Sequence, residues 1–81
     1  MRNKDKELRL YDLVRIKSFR VPVDFKPDGL STRIPRVGDM AAIIEIYLSP
    51  PGYELECSDS GGITEWLCAF APGDIELEKV D

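Results

Sequence analysis

Residues 38–49, "GDMAAIIEIYLS", carry the most regular pattern in the chain: Met40, Ala42, Ile44, Ile46 and Leu48 alternate with Ala41, Ile43, Glu45 and Tyr47. A period of two is the mark of a strand with one face in a core, so a strand is expected here with the first set inward. Shorter alternations recur at "LRLYDLVRI" (8–16), "YELECS" (53–58), "ITEWLCAF" (63–70) and "IELEKV" (75–80). Between them lie "SPPG", "DSGG" and "APGD", residue types that preset or relax the backbone at tight turns. No segment has a helical period. Residues 17–37 hold three prolines and no sustained pattern and are expected to form a long loop, a feature that in compact domains tends to carry function.

Four-residue turns at 49–52 and 59–62 predict the pairing. Leu48 then faces Tyr53, Ile46 faces Leu55 and Ile44 faces Cys57; on the next hairpin Leu55 faces Trp66 and Tyr53 faces Cys68. One apolar surface results: Met40, Ala42, Ile44, Ile46, Leu48, Tyr53, Leu55, Cys57, Trp66, Cys68 and Phe70. A one-residue slip of the fourth strand would turn Glu65 inward, at a cost of several kcal/mol for an unpaired charge. Trp66 and Cys68 are therefore read as core wall.

Composition bounds the rest. With 81 residues, 43% hydrophobic and 32% charged, the chain is expected to be one domain at 8–81 behind a flexible N-terminus at 1–7. No apolar run approaches the ~18 residues of a membrane span, and a cytoplasmic location is expected. Residues 1–36 carry ten Lys/Arg against five Asp/Glu, whereas residues 37–81 carry one against ten. Either the halves neutralise each other or each meets a different partner. Histidine is absent, which excludes the usual general base and structural zinc. Cys57 and Cys68, the only cysteines, are expected to be free, roughly 13 Å apart along the strand at ~3.3 Å per residue. A core that raises their pKa makes them poor nucleophiles.

Five short strands with a long first loop resemble the small SH3-like barrels. More closely, "LYDLVRI", "PRVGDMAAIIEIY" and "YELECSDSGGITEWL" resemble a family of short bacterial proteins of unknown function, with a D-x-V strand, then G-D-x-G-x-V-V-E-V-Y and a Y-E-V-E strand. The resemblance spans residues 10–79 and implies an all-β, five-stranded SH3-like barrel with a long loop between strands 1 and 2. It implies no activity. Ala41 stands where the pattern, like that of nucleic-acid-associated KOW modules, has glycine.

The expected register also defines the outward face. Glu45, Glu56 and Glu65 would form one row across three strands, with Ile43, Tyr47 and Leu67 beside them. Opposed like charges destabilise a sheet, so such a row, mixed with apolar side chains, reads as a protein-binding face for a basic partner, in an adaptor or inhibitor without catalytic residues. Two other readings are coverage of that face by the chain's own loop and a solvated face that keeps the protein dispersed. From a different class, Lys17, Arg20, Lys26, Arg33 and Arg36, with Phe19 and Phe25 between them, have the composition of a single-strand nucleic-acid site. A homo-oligomeric structural protein, as a homodimer, is the third class. Neither a cofactor nor a metal site is indicated: the carboxylates lie on a flat face, and no calcium-loop spacing occurs.

Overall fold

The computed structural model describes residues 8–23 and 31–80. Residues 1–7 and 24–30, with Phe25 and Lys26, lie outside the described residues, as does Asp81. The elements are β1 (Leu13–Phe19), β2 (Met40–Leu48), β3 (Pro51–Ser58), β4 (Thr64–Phe70), a single 3-10 turn at Pro72–Asp74, and β5 (Ile75–Lys79). They form one antiparallel sheet in the order β4-β3-β2-β1-β5. The all-β, five-strand expectation therefore holds. The sheet is open, since β4 and β5 are edges that do not pair with each other.

Strand 1 begins at Leu13 rather than Leu8. Tyr11 sits at φ 70°, a region costly for a bulky side chain. Asp12 closes a turn there, its amide donating to the Arg9 carbonyl and its Oδ2 accepting from the Arg9 amide. At the other end β1 runs on to Phe19, into the segment expected to be loop, because Ser18 and Phe19 pair with Glu76 and Ile75.

Three one-residue bulges set the faces. Ile16 pairs with Leu77 and Ser18 with Glu76, leaving Lys17 extra. Ile43 pairs with Leu55 and Glu45 with Glu54, leaving Ile44 extra. Cys57 pairs with Trp66 and Ser58 with Thr64, leaving Glu65 extra. A bulge shifts the side-chain phase by one residue. Downstream of Ile44 the expected phase holds as far as Tyr47, with Ile46 packed against the core and Glu45 and Tyr47 outward, but Leu48, expected inward, is 85% exposed at the strand end. Upstream it inverts: Ala41 and Ile43 are buried, whereas Met40 is 41% exposed. Ile43, expected on the outward binding face, is a core residue with 0% exposure.

Both hairpin registers also differ from expectation. β2 and β3 are joined by Ser49–Pro50 alone, with Leu48 opposite Pro51 and Ile46 opposite Tyr53. Gly52, expected to supply a positive φ in a four-residue turn, lies inside β3 instead. Its lack of a side chain matters for packing, because a Cβ there would meet the Phe70 carbonyl oxygen at 3.1 Å. The β3–β4 connection is one residue longer than expected and the Glu65 bulge adds another, so Leu55 faces Cys68 and Cys57 faces Trp66. Asp59 organises this turn as expected: its Oδ1 accepts from the Gly61 and Ile63 amides, and Gly62 takes φ 85°.

Val14, Ile16, Ala41, Ile43, Leu55, Cys57, Trp66 and Ile75 form one buried cluster drawn from all five strands. A flat sheet could not bring β4 and β5 residues into one core. The sheet therefore curls, and Phe19 of β1 reaches Phe70 of β4 with ring centroids 6.0 Å apart, although two strands separate them in the sheet. Trp66 packs edge-on against Phe70 at 6.3 Å.

Candidate functional site

The corrected registers dissolve the expected glutamate row. Glu56 faces Ala42 on one side and Leu67 on the other, and Glu45 faces Glu54. Glu56 accepts a 2.5 Å hydrogen bond from Thr64 Oγ1. Glu65 has left the row altogether. Its Oε1 lies 2.6 Å from Arg33 Nη2 and 2.9 Å from Nε, so the chain's own long loop takes this carboxylate. The same loop lies along the β4 edge: the Thr32 amide donates to the Glu65 carbonyl, and the Leu67 amide to Ser31 Oγ. Leu67, expected to be an exposed anchor, is half-buried.

Arg33 is the centre of a polar hub. Its guanidinium also donates to both oxygens of Asp39, at 2.9 and 3.1 Å. Asp39 Oδ2 accepts in addition from the Arg36 amide and from Trp66 Nε1, each at 2.9 Å. The buried indole thus finds the partner that its N–H requires. Burial alone would raise the Asp39 carboxyl; the hydrogen bonds from Arg33, the Arg36 amide and Trp66 outweigh it and hold the group below the ordinary range. On Arg33 the bond to Asp39 acts upward against desolvation, keeping the guanidinium charged. This hub ties the loop to the start of β2 and to β4, so its chemistry is structural.

The other basic candidates divide. Lys17 lies 3.8 Å from Glu78, and Arg20 lies 4.0 Å from Glu76. Arg36 has no ion pair among the described residues, and Lys26 lies outside them. The ion pairs Arg15–Glu78, Lys17–Glu78, Arg20–Glu76, Arg33–Asp39 and Arg33–Glu65 each join a cation of the first half to an acid of the second. Internal neutralisation thus accounts for much of the charge asymmetry. Among the described residues, Glu45, Glu54, Glu56, Asp59 and Asp74 have no cationic partner, and the excess negative charge collects on the β2–β3–β4 side.

Glu45 and Glu54 there meet Tyr47. They are directly opposed, a placement that puts Cβ atoms about 4.5 to 5.5 Å apart and is destabilising between like charges. Tyr47 Oη donates to Glu54 Oε1 at 2.9 Å, which pushes the phenol above its ordinary pKa. The ring is 42% exposed and stands over Gly52, its register partner. Beside it opens an apolar trough of about 420 Å³, lined by Tyr47, Ser49, Pro50, Pro51, Gly52, Ala69, Phe70 and Ala71. Glu54 is a member of this face that the alternation alone does not single out. The adjacent prolines were the available signal, because a turn closing at Ser49–Pro50 brings Glu54 opposite Glu45.

Both thiols are free, and burial raises their pKa values. In the observed register they lie closer than expected, on neighbouring strands two pairs apart, with the Glu56–Leu67 pair between them. A thiol reagent added to native protein is expected to react slowly, at Cys68 before Cys57, and both should become fast in urea. Immediate native labelling of Cys57 would contradict its burial. Among the described residues no three of His, Cys, Asp and Glu are grouped to hold a metal ion, and no helix is long and apolar enough to cross a membrane. Comparison with protein-family models, with curated proteins and with solved structures finds no match to this chain.

Proposed function

We propose that this chain is a small SH3-like module without catalytic activity, whose acidic outer sheet face binds a basic protein. The SH3-like reading is supported by the strand order, by the curl that joins Phe19 to Phe70, and by a 3-10 turn just before the last strand. One observation carries the binding reading: Glu45 and Glu54 stand face to face without a cation among the described residues, beside the exposed Tyr47 ring. A sheet gains nothing from that opposition by itself. A Lys or Arg from outside would relieve the repulsion and add charge-assisted hydrogen bonds. Of the residues first expected on this face, Glu45, Tyr47 and Glu56 remain in the proposal, with Leu67 at its margin; Glu54 replaces Glu65, and Ile43 drops out.

The test is capture from the native host with wild-type and Glu45→Lys/Glu54→Lys baits, followed by cross-linking to identify partner residues at the contact. The expected result is a partner retained by wild type alone, released by salt, and cross-linked through a basic patch. Identical partner sets on the two baits would overturn the reading.

A further inference from the structure

Tyr47, Gly52 and Glu54 make more than a charged surface. On the outer face the register aligns two rows across neighbouring strands: Tyr47 with Gly52, and Glu45 with Glu54 and Ala69. The trough's lining includes residues with little or no side chain, Gly52, Ala69 and Ala71, together with Tyr47 and the Pro50–Pro51 turn. Gly52 cannot be filled without displacing a neighbour, because its missing Cβ position lies 3.1 Å from the Phe70 carbonyl oxygen and 3.7 Å from Tyr47 Cδ2. The Glu54 carboxylate fixes the Tyr47 ring through its hydroxyl. The opposed carboxylate pair adjoins this lining, since Glu54 accepts the Tyr47 hydrogen bond and pairs with Ala69.

We propose that the trough seats an aliphatic side chain of an extended partner segment, and that a Lys or Arg a few residues away in the same segment reaches the Glu45/Glu54 pair. This deepens, and rests on, the reading of the acidic face given above. The size and apolar lining suit one or two side chains rather than a whole domain surface. The charge decides the occupant. A second copy docking here by two-fold symmetry would bring a second carboxylate pair into the same interface, an arrangement that like-charge repulsion disfavours. A basic segment of another protein is attracted by the same charges and loses little of the pair's hydration, since Glu45 stays exposed.

The decisive experiment selects a displayed library of random dodecapeptides on the immobilised full chain. The most enriched peptide is then synthesised and titrated against isotope-labelled wild type, Ala71→Leu and Glu45→Gln/Glu54→Gln proteins. Ala71→Leu fills the trough and leaves the charges; the double amide removes the charges and leaves the trough. Circular dichroism and Trp66 fluorescence verify that each variant is folded. The expected outcome is a selected motif pairing Leu, Ile or Val with Lys or Arg two to four positions away. Binding should move the amides of Gly52, Ala69 and Ala71, and should weaken about tenfold in each variant. The proposal falls if no motif is enriched, if enriched peptides lack a basic residue, if the shifts lie elsewhere, or if either variant binds like wild type. A failure here together with loss of the native partner on Glu45→Lys/Glu54→Lys would remove the trough and leave the acidic face. Retention of that partner would remove both.

Discussion

Ile43→Ala should lower the unfolding free energy by about 2–5 kcal/mol, the range for emptying a fully buried aliphatic site, while Ile44→Ala should lose less than half as much. The contrast isolates the β2 bulge. An unbroken alternation places Ile44 with Ile46 and Leu48 in the core and leaves Ile43 outside; the observed pairing buries Ile43 completely and makes Ile44 the extra, half-buried residue. For a chain of this size, total stability is roughly 4–12 kcal/mol, so the Ile43 variant should show a large fall in its urea midpoint at unchanged slope. Equal losses for the two variants, or a larger one for Ile44, would place the bulge wrongly.

Asp39→Asn is expected to be the second large effect, about 1.5–3 kcal/mol, because a charged acceptor serving four donors from three residues is replaced by a neutral one. The pH dependence follows from the direction of its shift. The Asp39 carboxyl lies below its ordinary value in the folded state, so its contribution is fully present above the unfolded value of about 4. It is lost as pH falls through the lowered folded value. Wild type should therefore exceed Asp39→Asn in stability at neutral pH and converge with it in acid. Trp66→Phe removes the indole donor to Asp39 and also some buried ring volume, so the comparison rests on the coupling with Asp39→Asn rather than on its own loss. Combined with Asp39→Asn, Trp66→Phe should give a loss smaller than the sum of the single changes, because the two share one hydrogen bond. Additive losses, or parallel stability profiles across the acid range, would show that Asp39 does not organise this hub.

The acidic outer face is only partly legible in the sequence. Tyr47 and Glu45 were placed outward correctly, because the phase downstream of Ile44 follows the simple alternation. Glu65 was misread: its neighbours Thr64 and Trp66 look like a regular strand, yet only the bulge opposite Cys57 and Ser58 frees it to meet Arg33. Glu54 escaped for the complementary reason. Its outward orientation follows from the alternation, but its partner across the strands depends on where the chain turns, and closing at Ser49–Pro50 instead of over four residues moves every pair between the turn and the Ile44 bulge by two. Arg33, which composition groups with the nucleic-acid-site cations, is instead held by Asp39, six residues away, and by Glu65, thirty-two residues away.

Residue chemistry along the chain was enough to determine the β2–β5 segments, the Asp59–Gly62 turn, the absence of long helices and the inward placement of Trp66, since each depends on neighbours within a few positions. Which residue bulges, which glutamates confront each other and which cation neutralises which acid were decided only by the curled sheet. Those outcomes depend on the spacing of a partner strand and on contacts between separate segments, such as Arg33 with Glu65, and a period-two pattern records neither.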